Sequence, residues 1–250
     1  MTDSSPAVTD RAEDREVHYA SRGSTHFDVI LALFAVVLVV SNIAATKGIE
    51  FGAGHFSVGS VQILPIVTDG GAFLFPLAYI LGDVISEVYG FKAARRAIFT
   101  GFAMAALAAV TFFVVQHAPA ASFYENQGAF ESVLGFVPQI VAASLAGYLT
   151  GQFLNSYVLV RMKAKTAEPH LFARLATSTG VGEFADTFIF CAIASTAIGI
   201  DSMGTFWNYF VVGFIYKTSV EFVVMPITMI VIAWLKRREP SYWDADAPAV

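Results

Sequence analysis

The sequence predicts an all-α, polytopic membrane protein with six transmembrane helices and both termini in the cytoplasm. Hydrophobic residues make up 56% of the 250 residues, charged residues make up 14%, and the mean hydropathy is +0.63. Several apolar runs reach about 20 residues, the length that an α-helix needs to cross the hydrocarbon core of a bilayer. Basic residues gather in short segments between these runs, as in the cytoplasmic loops of membrane proteins.

Six apolar segments are long enough to span, and glycine-rich, proline-rich or charged connections separate them. The predicted spans are residues 27–45, 71–89, 97–116, 132–162, 179–200 and 206–235. Pro76 is expected to kink the second span, because proline removes a helical hydrogen bond. The fourth span is longer than a bilayer requires, so we expect it to be tilted, kinked near Pro138 or extended beyond the membrane. Within the first connection, residues 58–66 are expected to be re-entrant or strand-like.

Polar segments flank a transmembrane domain that we place at residues 27–235. Residues 1–26 carry acidic side chains among Ser, Thr and Arg. Such a composition cannot bury a core, so a disordered cytoplasmic tail is predicted there. A cleaved signal peptide fits poorly, because this region is acidic and the apolar run after it is too long. Residues 236–250 are predicted to form a second cytoplasmic tail.

The Lys and Arg residues predict the orientation of the spans. With the N-terminus inside, the inside segments hold thirteen of the 15 basic residues, among them Lys163, Arg174 and Lys236. The outside loops hold Lys47, and Lys217 lies within a span. This is a strong positive-inside bias, and it alternates correctly from loop to loop. Because the basic residues form no dense stripe, no nucleic-acid partner is expected.

The predicted spans contain a set of polar side chains that is too large to be incidental. Its members are Asn42, Asp83, Glu87, Gln152, Asn155, Glu183, Asp186, Lys217 and Glu221. An acid inside a span is costly unless it faces the protein interior or a water-filled cavity. Asp83 and Glu87 are four residues apart and therefore share one face of a helix. We interpret the set as the lining of a polar cavity in the membrane.

Helix geometry suggests which of these side chains could meet. At 1.5 Å per residue, Lys217 lies about 16 Å and Asp83 about 18 Å below the outer ends of their helices. The two could therefore pair near the midplane. Lys217 and Glu221, four residues apart, could instead form an intrahelical ion pair. Glu87 lies deeper, near basic residues that follow the second span, so an interfacial structural role is its alternative.

Other members of the set also have structural alternatives. Glu183 and Asp186 lie at the predicted start of the fifth span, where they could favour the N-terminus of the helix electrostatically. Gln152 and Asn155 could bond only to neighbouring helices.

Charge counting indicates the kind of ligand that such a cavity would hold. Five carboxylates facing Lys217 alone would leave four uncompensated negative charges, which a low-dielectric site cannot support. A flat heterocycle with adjacent N–H groups would meet this need, because a carboxylate accepts two parallel hydrogen bonds. Aromatic residues that could stack on it are Phe73, Phe75, Tyr79, Tyr89, Phe184, Trp207, Tyr209 and Tyr216.

The sequence gives little support to a membrane-embedded enzyme, and no cofactor or metal is predicted. The five histidines lie in tails or loops without metal-ligand spacing, and no G-x-S-x-G, HExxH or Walker A motif occurs. Ala143, Gly147 and Gly151 form a small-residue stripe that marks a close helix contact. That contact could lie within one chain or between two, so a homodimer is possible.

Three motifs resemble the queuosine precursor transporter family, a branch of the vitamin uptake transporters related to the substrate-binding subunits of energy-coupling-factor importers. They are GGAFLFPLAYILGDVISEVYGFKAARR (Gly70–Arg96), GEFADTFIF (Gly182–Phe190) and FIYKTSVEFVVMPIT (Phe214–Thr228). The resemblance covers roughly residues 60–235.

This resemblance implies a multi-pass transporter of the bacterial inner membrane that imports 7-deazaguanine precursors of queuosine, such as preQ0 and preQ1. It places Asn42, Asp83, Asp186 and Lys217 around the base, and the further candidates are Glu87, Glu183 and Glu221. The alternative is an importer or substrate-binding subunit for another planar vitamin or nucleobase. Whether an energising module is a partner stays open.

Overall fold

A computed structural model describes residues 17–21, 25–58, 61–135, 138–196 and 201–243 of the chain. The elements are α1 (Thr25–Ala44), β1 (Gly48–Val58), β2 (Val61–Asp69), α2 (Phe75–His117), α3 (Gln127–Leu134), α4 (Pro138–Thr166), α5 (Leu171–Ala194) and α6 (Met203–Arg238), with 3₁₀ turns at Gly70–Phe73 and Pro240–Tyr242. The prediction of a helical membrane protein is confirmed. Among the described residues, α1, α2 and α6 are long and apolar enough to cross a membrane.

The connection between α1 and α2 is an antiparallel β-hairpin, which is the exception to the helical architecture. Gly48 pairs with Asp69 at its base and Val58 with Val61 at its tip. The register shifts in the middle of β1, near Gly52 and Gly54, whose φ angles are 93° and 89°. The strand-like piece that we expected at residues 58–66 is therefore one part of a longer hairpin.

Helix α2 contains the predicted third span and, from Phe75 onward, the second. It is broken at Gly90 and not at Pro76, which lies in its first turn. Gly90 has φ 78° and ψ 179°, a conformation that glycine adopts without the strain a Cβ would cause. On the first arm, Gly82 lies against Gln152 of α4, and the Ser86 hydroxyl donates a hydrogen bond to Ser156 at 2.9 Å. The contacts of the first arm therefore advance toward the C-terminus of α4.

The second arm of α2 follows α4 in the opposite direction. Phe91 packs on Tyr157 with ring centroids 5.9 Å apart. Farther along the arm, the Ile98 carbonyl accepts a hydrogen bond from the Tyr148 hydroxyl at 3.4 Å. The chain therefore reverses at Gly90, and the two arms of α2 run antiparallel beside the same helix.

Glycines let α4 and α5 approach closely. A Cβ on Gly147 would lie 2.5 Å from Asp186 Oδ1, and one on Gly151 would lie 2.7 Å from Asp186 Cβ. A Cβ on Gly182 would lie 2.8 Å from Asn155 Cβ. The stripe that contains Gly147 and Gly151 therefore makes a contact within one chain, and it no longer supports a homodimer.

The segments at the two ends of the described chain pack against each other and against the helices. The Ala20 amide donates to the Val88 carbonyl at 2.8 Å, and the Ser21 amide donates to Ser241 Oγ at 2.9 Å. Ala20 and Tyr242 are buried. Residues 1–16, 22–24 and 244–250 of the predicted tails lie outside the described residues. Residues 17–21 and 239–243, which the sequence also assigns to the tails, pack against the helices.

Candidate ligand-binding site

Polar side chains that are buried or, as for Lys217 and Glu168, partly buried form two groups. The first, which we call the central cluster, contains Tyr79, Asp83, Gln152, Asn155, Glu183, Asp186, Lys217 and Glu221. The second, which we call the terminal cluster, contains Glu87, Lys163, Glu168, Arg174, Lys236 and Tyr242. Helices α2, α4, α5 and α6 contribute to both, and the two groups differ in how completely their polar atoms are bonded.

The first arm of α2 carries Asp83 into the central cluster. Asp83 is 3% exposed, and its Oδ1 accepts a hydrogen bond from Asn155 Nδ2 of α4 at 2.7 Å. Gly82 makes this approach possible, because a Cβ there would lie 2.6 Å from Gln152 Oε1. The GD pair of the GDVISE motif therefore serves two purposes: it admits the Gln152 side chain and presents a carboxylate beside it.

Helices α5 and α6 contribute an ion pair to the central cluster. Lys217 Nζ donates to Asp186 Oδ2 at 2.8 Å and lies 3.9 Å from Glu183 Oε2. The same ammonium group lies 4.5 Å from the centroid of the Phe75 ring, within cation–π range. The partner of Lys217 is thus Asp186, whereas the positions of the two residues along their helices predict Asp83.

Glu221 completes the acidic side of the central cluster. It is 4% exposed and lies one helical turn beyond Lys217 on α6. Its carboxyl group is within electrostatic range of Glu183, Asp83 and Lys217. The charge count that follows is four carboxylates against one ammonium group, which leaves three negative charges uncompensated if all are ionised.

Many buried polar atoms of the central cluster have no hydrogen-bond partner among the described residues. They are Tyr79 Oη, Gln152 Oε1 and Nε2, Asn155 Oδ1, Glu183 Oε1 and Oε2, and Glu221 Oε1, and the neighbouring Thr179 and Thr187 hydroxyls share this property. The Tyr79 hydroxyl lies close to the Glu183 carboxylate, but not in hydrogen-bonding geometry. A buried polar atom without a partner costs about 1–3 kcal/mol, so such a concentration is expected where a ligand supplies the bonds.

The unpartnered atoms define the chemistry that the central cluster can recognise. Carboxylate and amide oxygens predominate, and these accept hydrogen bonds from N–H groups. Gln152 adds an amide that can donate as well as accept. The Phe75 and Tyr79 rings, 5.0 Å apart, border the same group and offer apolar faces. A planar molecule rich in N–H donors is the ligand class that this set of atoms fits.

The terminal cluster holds Glu87, which the sequence analysis considered for ligand binding. Arg174 Nη2 donates to Glu87 Oε1 at 2.7 Å and Arg174 Nε to Oε2 at 3.3 Å, a bidentate pair. Lys236 Nζ also donates to Glu87 Oε1, at 2.8 Å, and Lys163 Nζ lies 3.6 Å away. Glu87 is thus fully engaged by cations. These cations come from α4, α5 and α6, whereas Lys92 and Arg95, next to it in sequence, are exposed.

Bonds to the terminal segments extend this network. Lys163 donates to the His18 carbonyl at 2.8 Å and to the Tyr242 hydroxyl at 2.8 Å. Tyr242 in turn donates to Glu168 at 2.7 Å. Burial alone would raise the pKa of the Glu168 carboxyl, but Lys163, Lys236 and Tyr242 together hold that pKa below its ordinary value. Burial, with Glu87 nearby, raises the pKa of the Tyr19 hydroxyl to about 12, so this phenol stays protonated.

Asn42 is the remaining predicted site residue. Its Nδ2 donates to the Leu38 carbonyl at 3.0 Å, and its Oδ1 accepts from Ser144 Oγ at 3.4 Å. The first of these bonds lies within α1, and the second joins α1 to α4. The structure therefore brings together Asp83, Glu183, Asp186, Lys217 and Glu221, but it gives Asn42 and Glu87 partners elsewhere.

The sequence places Gln152 and Asn155 in the polar set, with bonding to neighbouring helices as their alternative role, and Asn155 does make such a bond to Asp83. Both are fully buried, and both keep unpartnered atoms beside Asp83. The available signal was their position on the glycine-rich helix, one residue and four residues after Gly151. A polar side chain next to a close helix contact has little room to reach solvent, so it must find its partners inside the protein.

The sequence of the chain is similar to a known family and to three named proteins. Residues 69–231, more than half of the chain, match the model of a family described as "Putative vitamin uptake transporter". A Bacillus subtilis protein named "Probable queuosine precursor transporter" is 29% identical over 173 residues, which cover 68% of this chain and 73% of the relative. The Escherichia coli "Queuosine precursor transporter" is 30% identical over 134 residues, which cover 54% of this chain and 58% of the relative.

A third relative, a Haemophilus influenzae protein named "Probable queuosine precursor transporter", is 24% identical over 158 residues, which cover 63% of this chain and 65% of the relative. No solved structure matches the chain. The matched region contains α2, α4 and α5 and most of α6, and so it includes the whole central cluster. The chain therefore belongs to the vitamin uptake transporter family, as its resemblance to queuosine precursor transporters predicted.

Proposed function

We propose that this chain is an inner-membrane transporter that imports 7-deazaguanine precursors of queuosine, of the preQ0 and preQ1 type, and binds the base in the central cluster. The observation that carries the proposal is the concentration of buried, unpartnered acceptors around Asp83, Gln152 and Glu183. A 7-deazaguanine ring presents adjacent N–H donors on one edge and a carbonyl acceptor beside them. The names of the relatives supply the same class of substrate.

Six spans with both termini in the cytoplasm are part of this proposal. The reversal of α2 at Gly90 supports counting its two arms as two crossings. We count α1, α4, α5 and α6 as four more, since each has at least 20 residues. The contact between Ser21 and Ser241 supports an even number of crossings, because it requires both ends of the domain to lie on one side. The positive-inside bias makes that side the cytoplasm.

Uptake by cells that cannot make the base tests the proposal. Asp83→Ala and Lys217→Ala should each abolish growth-supporting uptake of labelled preQ1, because one removes an acceptor and the other removes the counter-charge of Asp186. Arg95→Ala, on the exposed face of α2, is the control that should transport normally. If both central variants insert into the membrane and transport at the parent rate, the central cluster is not the binding site.

Competition separates this substrate class from another planar vitamin or nucleobase. Uptake of labelled preQ1 should be inhibited by unlabelled preQ0 and preQ1 and left unchanged by unrelated vitamins. Stronger inhibition by a different heterocycle would reassign the substrate and leave the site in place. Reconstitution of the purified chain alone in proteoliposomes tests whether a separate energising module is required.

A further inference from the structure

The central cluster carries more acid than its own cation can neutralise. Asp186 is ion-paired with Lys217 at 2.8 Å, and Asp83 accepts the Asn155 amide at 2.7 Å. Glu183 and Glu221 have no comparable bond. Since an isolated buried carboxylate is very costly, at least one of these two must be neutral unless a ligand brings positive charge.

Glu183 is the acid with the least support. Its side chain is completely buried on α5, and both of its carboxyl oxygens lack a hydrogen-bond partner among the described residues. The Lys217 ammonium is 3.9 Å from Oε2, too far for a hydrogen bond, and is already engaged by Asp186. In Glu221, by contrast, a single oxygen, Oε1, is buried without a partner.

We propose that Glu183 holds a proton when no ligand is bound and releases it when a cationic ligand occupies the central cluster, so that one site serves neutral and cationic 7-deazaguanines. This inference rests on the proposed function. The proton leaves the Glu183 carboxyl for solvent, and the ligand's ammonium group takes its place as the positive partner of the carboxylate. The total charge of the site is then unchanged. A neutral ligand leaves the proton where it is.

The surroundings of Glu183 are consistent with this exchange. The titratable groups that face it are Tyr79 from the first arm of α2, Asp186 on its own helix, and Lys217 and Glu221 from α6. Asp83 lies within electrostatic range of Glu221. Lys217 is committed to Asp186, and the other acids add negative charge, so a ligand cation entering here meets net attraction. When that cation enters, the carboxyl with no hydrogen bond to lose is the one that most readily releases its proton to solvent.

Calorimetry tests the exchange directly. Binding of preQ0, whose side group is a neutral nitrile, and of preQ1, whose aminomethyl group is cationic, is measured at pH 7 on the purified chain in two buffers of different ionisation enthalpy. The difference between buffers gives the number of protons released per ligand. We expect about one proton for preQ1 and about none for preQ0. Glu183→Gln should abolish the release and weaken preQ1 binding about tenfold or more, while preQ0 binding changes little.

Two further variants make the assignment specific. Glu131→Gln, in the exposed helix α3, should behave as the parent does. If Glu221→Gln loses the proton release and Glu183→Gln keeps it, the assignment to Glu183 is overturned. The proposal also fails if the parent binds preQ1 without releasing a proton, or if Glu183→Gln releases as many protons as the parent. If neither compound binds the parent, the proposed function fails, and this inference fails with it.

Discussion

The central and terminal clusters are built from the same kinds of side chain on the same helices, yet they are bonded very differently. In the terminal cluster, Glu87 makes a bidentate contact with Arg174 and bonds a second cation, Lys236. Every member of the terminal cluster has a bond to another described residue. In the central cluster, the carboxyl oxygens of Glu183 and the side-chain amide of Gln152 have no hydrogen-bond partner among the described residues. Buried charge that is fully paired holds helices together, whereas buried charge that is left unpaired indicates a ligand.

The two clusters also differ in charge. The terminal cluster has three cations, Lys163, Arg174 and Lys236, for two carboxylates, so it needs nothing from outside. The central cluster has one cation for four carboxylates. Substitutions in the terminal cluster should therefore reduce stability, and substitutions in the central cluster should reduce binding.

The largest expected effect is on stability, from Arg174→Ala. This change leaves Glu87 buried with fewer partners, and breaking such a pair typically costs about 3–5 kcal/mol. Thermal denaturation in detergent and the yield of monodisperse protein measure the loss. Arg95→Ala, which removes an exposed arginine, should leave both unchanged. Equal stability of the Arg174 and Arg95 variants would show that the terminal cluster does not hold the helices together.

Two isosteric changes, one in each cluster, test whether uptake depends on the central cluster and stability on the terminal cluster. Asp83→Asn keeps the acceptor for Asn155 but removes a carboxylate, so we expect uptake to fall about tenfold or more with little change in melting temperature. Glu87→Gln removes the charge that three cations share, so it should lower the melting temperature clearly. If the two variants show the opposite pattern, the roles assigned to the clusters are exchanged.

The close contact of α4 and α5 gives a smaller effect. Gly151→Ala places a methyl group 2.7 Å from Asp186 Cβ and should cost about 1–3 kcal/mol, as overpacked cores do. Because Asp186 would move, uptake should fall as well. Gly180→Ala, whose Cβ would meet nothing within 4 Å, is the control and should be neutral or slightly stabilising. The prediction fails if both alanine variants melt at the same temperature.

The smallest expected effect is a pH dependence from Glu168. Its pKa is lower in the folded state than in the unfolded state, so the stability it contributes is present above the unfolded pKa and is lost as the pH falls through the folded value. Glu168→Gln should therefore melt below the parent at pH 7, and the gap should close as the pH is lowered below about 4. A gap that persists in acid would mean that the bond to Tyr242, rather than the charge, is what matters.

The sequence predicted the membership of the central cluster better than its pairing. Rise per residue gives the heights of Asp83 and Lys217, and these heights are sufficient to bring the two to one level. Glu183 and Asp186 are expected at the start of a span that begins at residue 179, whereas α5 begins at Leu171 and places them well inside the helix. The rotation of each helix about its axis depends on tertiary contacts. Lys217 faces Asp186 because α6 packs on α5, while Asp83 faces Asn155 because glycines draw α2 toward α4. No local pattern encodes that choice.

The terminal cluster was harder to predict because its residues resemble ordinary loop residues. Arg174 was counted among the basic residues of a cytoplasmic loop, yet α5 begins at Leu171 and buries it completely. Lys163 and Lys236 were likewise interpreted as orientation signals. Residues 17–21 and 239–243 pack against the helices and bury these two lysines. Such short polar segments have no hydrophobic periodicity, so the sequence does not predict their packing.

The most direct test of the account is the binding of preQ0 to the purified chain, measured at equilibrium for the parent, Asp83→Asn and Arg95→Ala. The account predicts saturable binding at one site in the parent and in Arg95→Ala. It predicts binding that is weaker by about tenfold or more in Asp83→Asn, with all three proteins equally well folded. Equal affinity of Asp83→Asn and the parent, or no binding to a well-folded parent, would contradict the claim that the unpartnered atoms of the central cluster bind a 7-deazaguanine.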